Sequence, residues 1–207
     1  MSRTTTTRLI LVRHGEVDAR WRGTLYGRLD VELSERGLAQ SRRIAEVLKD
    51  RAIDAVVSSG LARAEAAAAA LRRDRPHLER IDDERFLELD RGDWAGRPIE
   101  EIRRDDPERY EEWVSRRGAV RAPGGEDPED VARRTVPAFA DWAGRAAGGT
   151  VAICAHLWVV RSALAHALAV PMARSSQLGW PPGGLCELDW PADPTSEAVP
   201  AVVQLGA

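Results

Sequence analysis

The sequence predicts an α/β fold of three layers, α/β/α, in which the middle layer is a mostly parallel sheet. Short apolar runs at 8–12 (RLILV), 54–58 (DAVVS) and 150–155 (TVAICA) have the character of strands buried on both faces. Helical patterns follow these runs, and alternation of strands with helices is the signature of this class. Two more strands are predicted at 185–190 and 199–205.

The helices are indicated by their caps and their apolar periodicity. Ser34 precedes SERGLAQSRRIAEVLKD as a capping residue, and apolar side chains recur there at helical spacing. An alanine-rich helix is predicted at 61–73. Another is predicted from about 158 to 168, with Pro171 as its stop.

The length of 207 residues fits a single domain spanning 1–207. Segment 91–130 differs from the rest, because it is highly charged and contains four prolines and a Gly-Gly pair. Two short helices are predicted within it, at 99–104 and 107–117. We interpret the segment as a small, partly helical insertion over the active site.

Composition excludes several classes of protein. The formal net charge of −3 disfavours nucleic acid as a partner, since proteins that wrap nucleic acid are usually basic. The only apolar stretch near the N-terminus is too short for a signal-peptide core or a membrane span, so the cytoplasm is expected. The four histidines and two cysteines lack metal-ligand spacing, so no metal is expected. A homodimer is left open.

Two histidines follow predicted strands directly. His14 stands after strand 8–12 in the tetrapeptide Arg13-His14-Gly15-Glu16, and His156 follows strand 150–155. Ligands of α/β sheets collect at the carboxyl ends of strands, so the two imidazoles meet there if their strands are neighbours. Arg13 offers a fork for two phosphate oxygens, and Gly15 permits a tight turn and a close approach by a ligand. The alternative is that His14 and Arg13 merely cap a strand.

Arg63 is the third element of this predicted site. It follows strand 54–58 by a few residues and lies in the first turn of the next helix. Helix N-termini present free N–H groups that favour anions.

The ordered set of motifs resembles the histidine phosphatase superfamily, also called the phosphoglycerate mutase-like family. The segments that carry the resemblance are LILVRHGE (9–16), GRLDVELSERG (27–37), VVSSGLARA (56–64), FLELDRGDWAG (86–96), PGGED (123–127) and VAICAHLWVVR (151–161). The resemblance implies that His14 is a nucleophile that becomes phosphohistidine. It also implies that Arg13, Arg63 and His156 form the phosphate pocket and that Glu88 is the proton donor. Since charge builds up on the phosphate oxygens during transfer, a protonated His156 is expected to assist the two guanidinium groups in place of a metal.

The family resemblance implies a metal-independent phosphatase that needs no cofactor and hydrolyses small phosphate monoesters. The segment around Glu88 is similar to the phosphatase branch. Two alternatives stay open: a mutase that moves phosphoryl groups within phosphoglycerate, and a non-catalytic protein that binds phosphorylated ligands. For Glu88 itself, the alternative is an ordinary salt-bridged carboxylate.

Some positions depart from the family pattern and bear on the substrate. Arg20 and Arg22 stand where the family commonly has an asparagine that contacts phosphate, and we assign Arg22 to the substrate-binding set. Leu157, which replaces a small residue after His156, is assigned to the same set. The adjacent Trp158 could stack on substrate or pack in the core. Arg20, Arg22 and Arg28 are expected to add positive charge at the entrance of the site. This charge would suit a substrate that carries a second anionic group besides its phosphate.

Overall fold

The computed structural model describes residues 5–206 and has a six-stranded sheet at its centre. The strands within this range are β1 (Thr6–Arg13), β2 (Thr24–Leu25), β3 (Ala55–Ser58), β4 (Ile81–Asp82), β5 (Arg97–Pro98), β6 (Thr150–Ala155), β7 (Leu185–Pro191) and β8 (Ala201–Leu205). The central sheet has the order β4-β3-β6-β1-β7-β8, and β2 pairs with β5 in a separate ribbon.

The central sheet is mixed but mostly parallel. β1, β6, β3 and β4 pair in parallel, whereas β7 pairs antiparallel with both β1 and β8. The predicted fold class is therefore confirmed. The last strand begins at Ala201 instead of position 199, which leaves Pro200 outside the ladder.

The described part of the chain contains six α-helices. They are α1 (Glu35–Val47), α2 (Ala62–Arg73), α3 (Ile99–Asp105), α4 (Pro107–Ser115), α5 (Pro128–Arg145) and α6 (Leu157–Ala167). Ser34 caps α1 as predicted, since its side chain accepts a hydrogen bond from the Gly37 amide. The longest helix, α5, is absent from the sequence prediction. Its sequence is charged at the start and carries Pro137 internally, but Asp127 and Asp130 form a capping box that fixes its beginning.

Alternation along β1 divides the core into two layers. Leu9 and Leu11 pack on one face with Phe139 of α5 and Val160 of α6. Ile10 and Val12 point to the other face, where residues of α1 and α2 cover them. Because both faces are covered, the carboxyl edge of the strands is where side chains can meet a ligand.

Segment 91–130 contains β5, α3 and α4. The second of its predicted helices ends at Ser115, before Arg117, which adopts a left-handed conformation with φ of 52°. Ala119 packs with Leu89 and Trp158, so the segment contacts the carboxyl edge of the sheet. Among residues 5–206, no helix combines the length and the apolar character that crossing a membrane requires.

Candidate active site

The two strand-end histidines lie side by side. β1 and β6 are paired so that Arg13 faces Ala155, and the His14 amide donates to the Ala155 carbonyl at 3.0 Å. The ring centroids of His14 and His156 are 5.2 Å apart, with planes inclined by 60°. Both residues are buried, with 2 % and 0 % of their surfaces exposed. The predicted convergence of the two imidazoles is present.

A backbone carbonyl fixes the tautomer of His14. Nδ1 lies 2.7 Å from the Gly15 carbonyl oxygen, which can only accept a hydrogen bond. Nδ1 therefore carries the proton, and the Nε2 lone pair is free. Burial, together with the charges of Arg63 and Arg13, lowers the pKa of His14 from 6.5 to about 3. The imidazole is neutral at pH 7, as a nitrogen nucleophile must be.

This depressed pKa predicts a loss of stability in acid. The unfolded chain takes up a proton on residue 14 near pH 6.5, whereas the folded chain takes it up only near pH 3. The free energy of unfolding therefore decreases as the pH falls through that window. For His14 alone, the decrease from pH 7 to 4.5 is expected to be roughly 2–3 kcal/mol.

Urea denaturation of wild type and His14→Asn at both pH values measures this effect. The variant should lose less stability than wild type by that amount. An equal loss in the two proteins contradicts the depressed pKa.

His156 is expected to be neutral at pH 7, in contrast to the protonated imidazole that was predicted. Burial lowers its pKa well below the ordinary value, and the charge of Arg63 acts in the same direction. Its Nε2 lies 2.7 Å from the Ser59 hydroxyl. Ser59 is a site residue that was not predicted, although its position one residue after the end of β3 is the signal that identified the two histidines.

The two predicted arginines line the same edge of the sheet. Arg63 donates through both terminal nitrogens, to the carbonyls of Leu29 and Gly27, each at 2.6 Å. Arg13 donates to the Trp180 carbonyl. Neither guanidinium forms an ion pair with a carboxylate between residues 5 and 206. Their Nε atoms and Nδ1 of His156 are buried, without a hydrogen-bond partner in the described chain.

Glu88 lies near Arg13 and Arg63, and one of its own carboxylate oxygens accepts two backbone hydrogen bonds. Its Oε1 accepts from the amides of Leu89, at 2.8 Å, and Trp158, at 3.2 Å. The second amide belongs to the first turn of α6, so the carboxylate also caps that helix. Its charge raises the pKa of Arg13 and Arg63, against the larger opposite effect of burial. No ion pair within residues 5–206 holds Glu88, contrary to the salt-bridge alternative.

Two further side chains belong to the site and were given no role by the sequence. Tyr26 lies with its ring 5.2 Å from the Arg63 guanidinium carbon. Burial and the charge of Glu88 raise the pKa of Tyr26, while Arg63, Arg13 and Arg91 lower it. The side chain of Arg91 packs against Gly27, whose carbonyl accepts a hydrogen bond from Arg63, so Arg91 is a third arginine of this edge. Its signal was its position three residues after Glu88.

Gly15 is required for a different reason than expected. A Cβ at this position would lie 2.3 Å from the Gly37 carbonyl oxygen, and a Cβ on Gly37 would lie 2.0 Å from the Glu16 carbonyl oxygen. The two glycines let the loop after β1 cross the first turn of α1 in direct backbone contact. A neighbouring backbone, not a ligand, occupies the space beside Gly15.

The arginines predicted at the entrance are mostly paired. Arg20 forms an ion pair with Glu32, and Arg28 contacts Glu126 at 2.8 Å and Asp90 at 3.5 Å. Carboxylates therefore offset both charges. Arg22 is exposed and makes no ion pair within the described residues, so its substrate role stays a prediction.

The two side chains after His156 differ in exposure. Leu157 is partly exposed at the start of α6, and its assignment to substrate binding also stays a prediction. Trp158 is only 2 % exposed and packs in the core against Leu89, Ala119 and Val131. Of its two interpretations, the core role is the one observed.

The described residues do not form a metal site, either beside the histidine pair or elsewhere. Within residues 5–206, no three His, Cys, Asp or Glu side chains are grouped so that they could hold a metal ion. His77 is exposed, and His166 stacks on Trp190 with ring centroids 5.3 Å apart. Cys154 and Cys186 are free and buried.

Comparison with known proteins agrees with this geometry. Residues 9–198 match the family described as the histidine phosphatase superfamily, branch 1. Phosphoserine phosphatase 1 of Hydrogenobacter thermophilus is 31 % identical over 83 % of this chain and 81 % of its own. Glucosyl-3-phosphoglycerate phosphatase of Mycobacterium tuberculosis is 35 % identical over 88 % and 83 %. The native structure of a mycobacterial glucosyl-3-phosphoglycerate phosphatase, 32 % identical, superimposes with a TM-score of 0.84 over 99 % of this chain and all of that one. On sequence and structure alike, the chain belongs to the histidine phosphatase superfamily.

Proposed function

We propose that this protein is a metal-independent phosphatase that hydrolyses small phosphate monoesters through a phosphohistidine on His14. The observation that carries the proposal is the pair of buried imidazoles, 5.2 Å apart, flanked by two guanidinium groups that form no ion pair within residues 5–206. The named relatives are phosphatases of small phosphate monoesters, which supports the reaction class. Their specific substrates belong to those proteins.

The phosphoryl group is held by three donors that have no other partner. Nε of Arg13, Nε of Arg63 and Nδ1 of His156 are buried without hydrogen bonds to residues 5–206. Phosphate oxygens satisfy such groups, and donors fixed in advance stabilise the charge that builds up during transfer. A neutral His156 contributes as a hydrogen-bond donor if the Ser59 hydroxyl donates to its Nε2. Two guanidinium groups then supply the positive charge that a metal supplies elsewhere.

The first step transfers the phosphoryl group to the enzyme. The Nε2 lone pair of His14 attacks phosphorus, and the bond from phosphorus to the ester oxygen breaks. Glu88 in its protonated form gives its proton to the departing alkoxide. The Oε1 atom of Glu88 is engaged with two backbone amides, so the proton is carried on Oε2.

The second step returns the enzyme to its starting state. The Glu88 carboxylate accepts a proton from a water molecule, whose oxygen attacks phosphorus. The bond from phosphorus to His14 breaks, and inorganic phosphate leaves. The hydrogen bond from Nδ1 to the Gly15 carbonyl holds the ring in one orientation during both steps.

We further propose that the described chain works as one cytoplasmic domain, with 91–130 as an insertion beside the site. Glu126 at the end of that segment binds Arg28 and Arg134, and its backbone amide binds the Asp90 carbonyl at 3.0 Å. These contacts attach the insertion to the strand-edge loop that carries Glu88. The two free cysteines suit a reducing compartment.

A panel of small phosphate esters, assayed for free phosphate with and without EDTA, tests the function. We expect at least one ester to be hydrolysed at a rate that EDTA leaves unchanged. Absence of phosphate release from every ester contradicts the proposal. Isomerisation of phosphoglycerate without phosphate release would indicate a mutase instead. Inactivation by EDTA would overturn the metal-independent mechanism.

A further inference from the structure

Arg91 is a guanidinium of the site that the two-step mechanism does not use. It precedes the 3₁₀ turn Gly92–Trp94, and its Cβ and Cγ lie 3.2 and 2.9 Å from where a Cβ on Gly27 would stand. The Gly27 carbonyl accepts a hydrogen bond from Arg63. Arg91 therefore packs against one side of the loop whose carbonyl fixes Arg63.

The backbone that carries Arg91 is clamped by the glycine-rich loop at 123–126. The Asp93 amide donates to the Pro123 carbonyl at 2.8 Å. A Cβ on Gly92 would lie 2.1 Å from that same carbonyl oxygen, so the two loops are in direct contact. The Asp90 amide donates to the Glu126 carboxylate at 3.1 Å. A side chain on such a fixed backbone loses little entropy when it binds a ligand.

Nearby carboxylates are engaged with other groups. Asp90 accepts from the Gly92 amide and contacts Arg28, and Glu126 binds Arg28 and Arg134. Among residues 5–206, Arg91 forms no ion pair, and its hydrogen bond is from Nη1 to the Gly118 carbonyl at 3.2 Å. Its Nε and Nη2 groups are left as a pair of parallel donors. Burial lowers the pKa of Arg91, and the charge of Glu88 opposes that effect.

The charges around Glu88 also exceed what one phosphate ester requires. In the first step Glu88 is protonated and both imidazoles are neutral, so Arg13, Arg63 and Arg91 carry three positive charges against about two negative charges on a phosphate monoester. Two guanidiniums and His156 suffice for the phosphoryl group in the proposed mechanism. The third guanidinium has a free planar edge, and that edge matches the two oxygens of a carboxylate.

We propose that Arg91 binds a carboxylate of the substrate, so that the enzyme prefers phosphate monoesters of hydroxy acids or amino acids. This inference rests on the proposed phosphatase function. It assigns the second anionic group to Arg91 instead of the ion-paired Arg20 and Arg28.

Two matched pairs of esters test the inference. O-phosphoserine and O-phosphoethanolamine differ by one carboxylate, and 3-phosphoglycerate and glycerol 3-phosphate differ by a carboxylate in place of a hydroxymethyl group. Wild type should have the higher kcat/KM for the carboxylate member of at least one pair. Arg91→Gln should reduce that preference by roughly 10–100-fold, the usual effect of a charge-assisted hydrogen bond. Arg91→Lys keeps the charge but not the fork, so its preference should lie between the two.

The control is Arg42→Gln, which removes an exposed arginine of α1. It should leave both kcat/KM values at the wild-type level. The inference is overturned if wild type shows no preference in either pair, or if Arg91→Gln keeps the preference. It is also overturned if Arg91→Gln lowers both members of a pair equally, since that indicates a general effect on the site. Failure of the proposed function is a separate outcome, in which wild type releases phosphate from none of the esters.

Discussion

Replacing His14 with alanine is expected to abolish phosphate release, with a decrease in kcat on the order of 10⁴-fold or more. The reason is chemical, because the variant lacks the nitrogen that forms the covalent bond to phosphorus. Within the pocket, His14 is the imidazole whose Nδ1 is bound to a carbonyl and whose Nε2 is free. The other imidazole, His156, has its Nε2 engaged with Ser59. The hydrogen bonds therefore assign the nucleophile, and kcat for the ester that wild type hydrolyses fastest measures the effect.

Direct trapping of the intermediate separates a nucleophile from a residue that only binds phosphate. Wild type mixed with a ³²P-labelled ester and quenched in alkali should carry label on His14, since phosphohistidine survives base and is lost in acid. His14→Ala should carry none. His77→Ala is the matched control, because it removes an exposed histidine from a loop, and it should be labelled and active. Label on His156, or turnover in His14→Ala, would contradict the assignment.

The positions of the two histidines could be predicted because each follows directly on a strand that is recognisable from its local sequence. An apolar run ending in a histidine places the imidazole at the carboxyl edge of a parallel sheet. The structure confirms that β1 and β6 are neighbours, so that residues immediately after Arg13 and Ala155 meet. The same reasoning placed Arg63 in the first turn of α2.

Side chains that reach the site from loops could not be predicted in this way. Tyr26 lies after β2 and Arg91 in the loop before the turn Gly92–Trp94, where no periodic pattern determines direction. The direction of Arg91 depends on contacts with the loop at 123–126, which are distant in sequence. The ion pair between Arg28 and Glu126 could not be predicted for the same reason, because the two residues are distant in sequence.

The protonation state of His156 also could not be predicted from the sequence. A histidine has an ordinary pKa near 6.5, which is compatible with either charge state at pH 7. The sequence therefore allowed a protonated His156 to assist two arginines. Complete burial beside the cations Arg63 and Arg13 reverses that expectation, because both effects lower the pKa of His156. Burial is a property of the packed fold and not of the residue.

Glu88 combines a structural contact with its proposed chemical role, and the two can be separated by substitution. Oε1 caps α6 through the Trp158 amide, and a glutamine side chain retains an oxygen that can accept that hydrogen bond. Alanine removes the acceptor. Glu88→Ala is therefore expected to lower the free energy of unfolding by about 0.5–2 kcal/mol, the usual effect of a lost cap, whereas Glu88→Gln should remain close to wild type.

Glu88→Gln is expected to decrease kcat for an alkyl phosphate by about 10²–10⁴-fold, because glutamine cannot transfer a proton. Transfer from p-nitrophenyl phosphate should be less affected, since its leaving group departs without protonation. The second step, hydrolysis of phosphohistidine, still lacks its base in the variant. With p-nitrophenyl phosphate, the variant should therefore give a rapid burst of p-nitrophenol followed by slow turnover. Glu79→Gln, an exposed control, should show wild-type rates. Equal losses for both substrates without a burst would mean that Glu88 orders the pocket through α6 and transfers no proton.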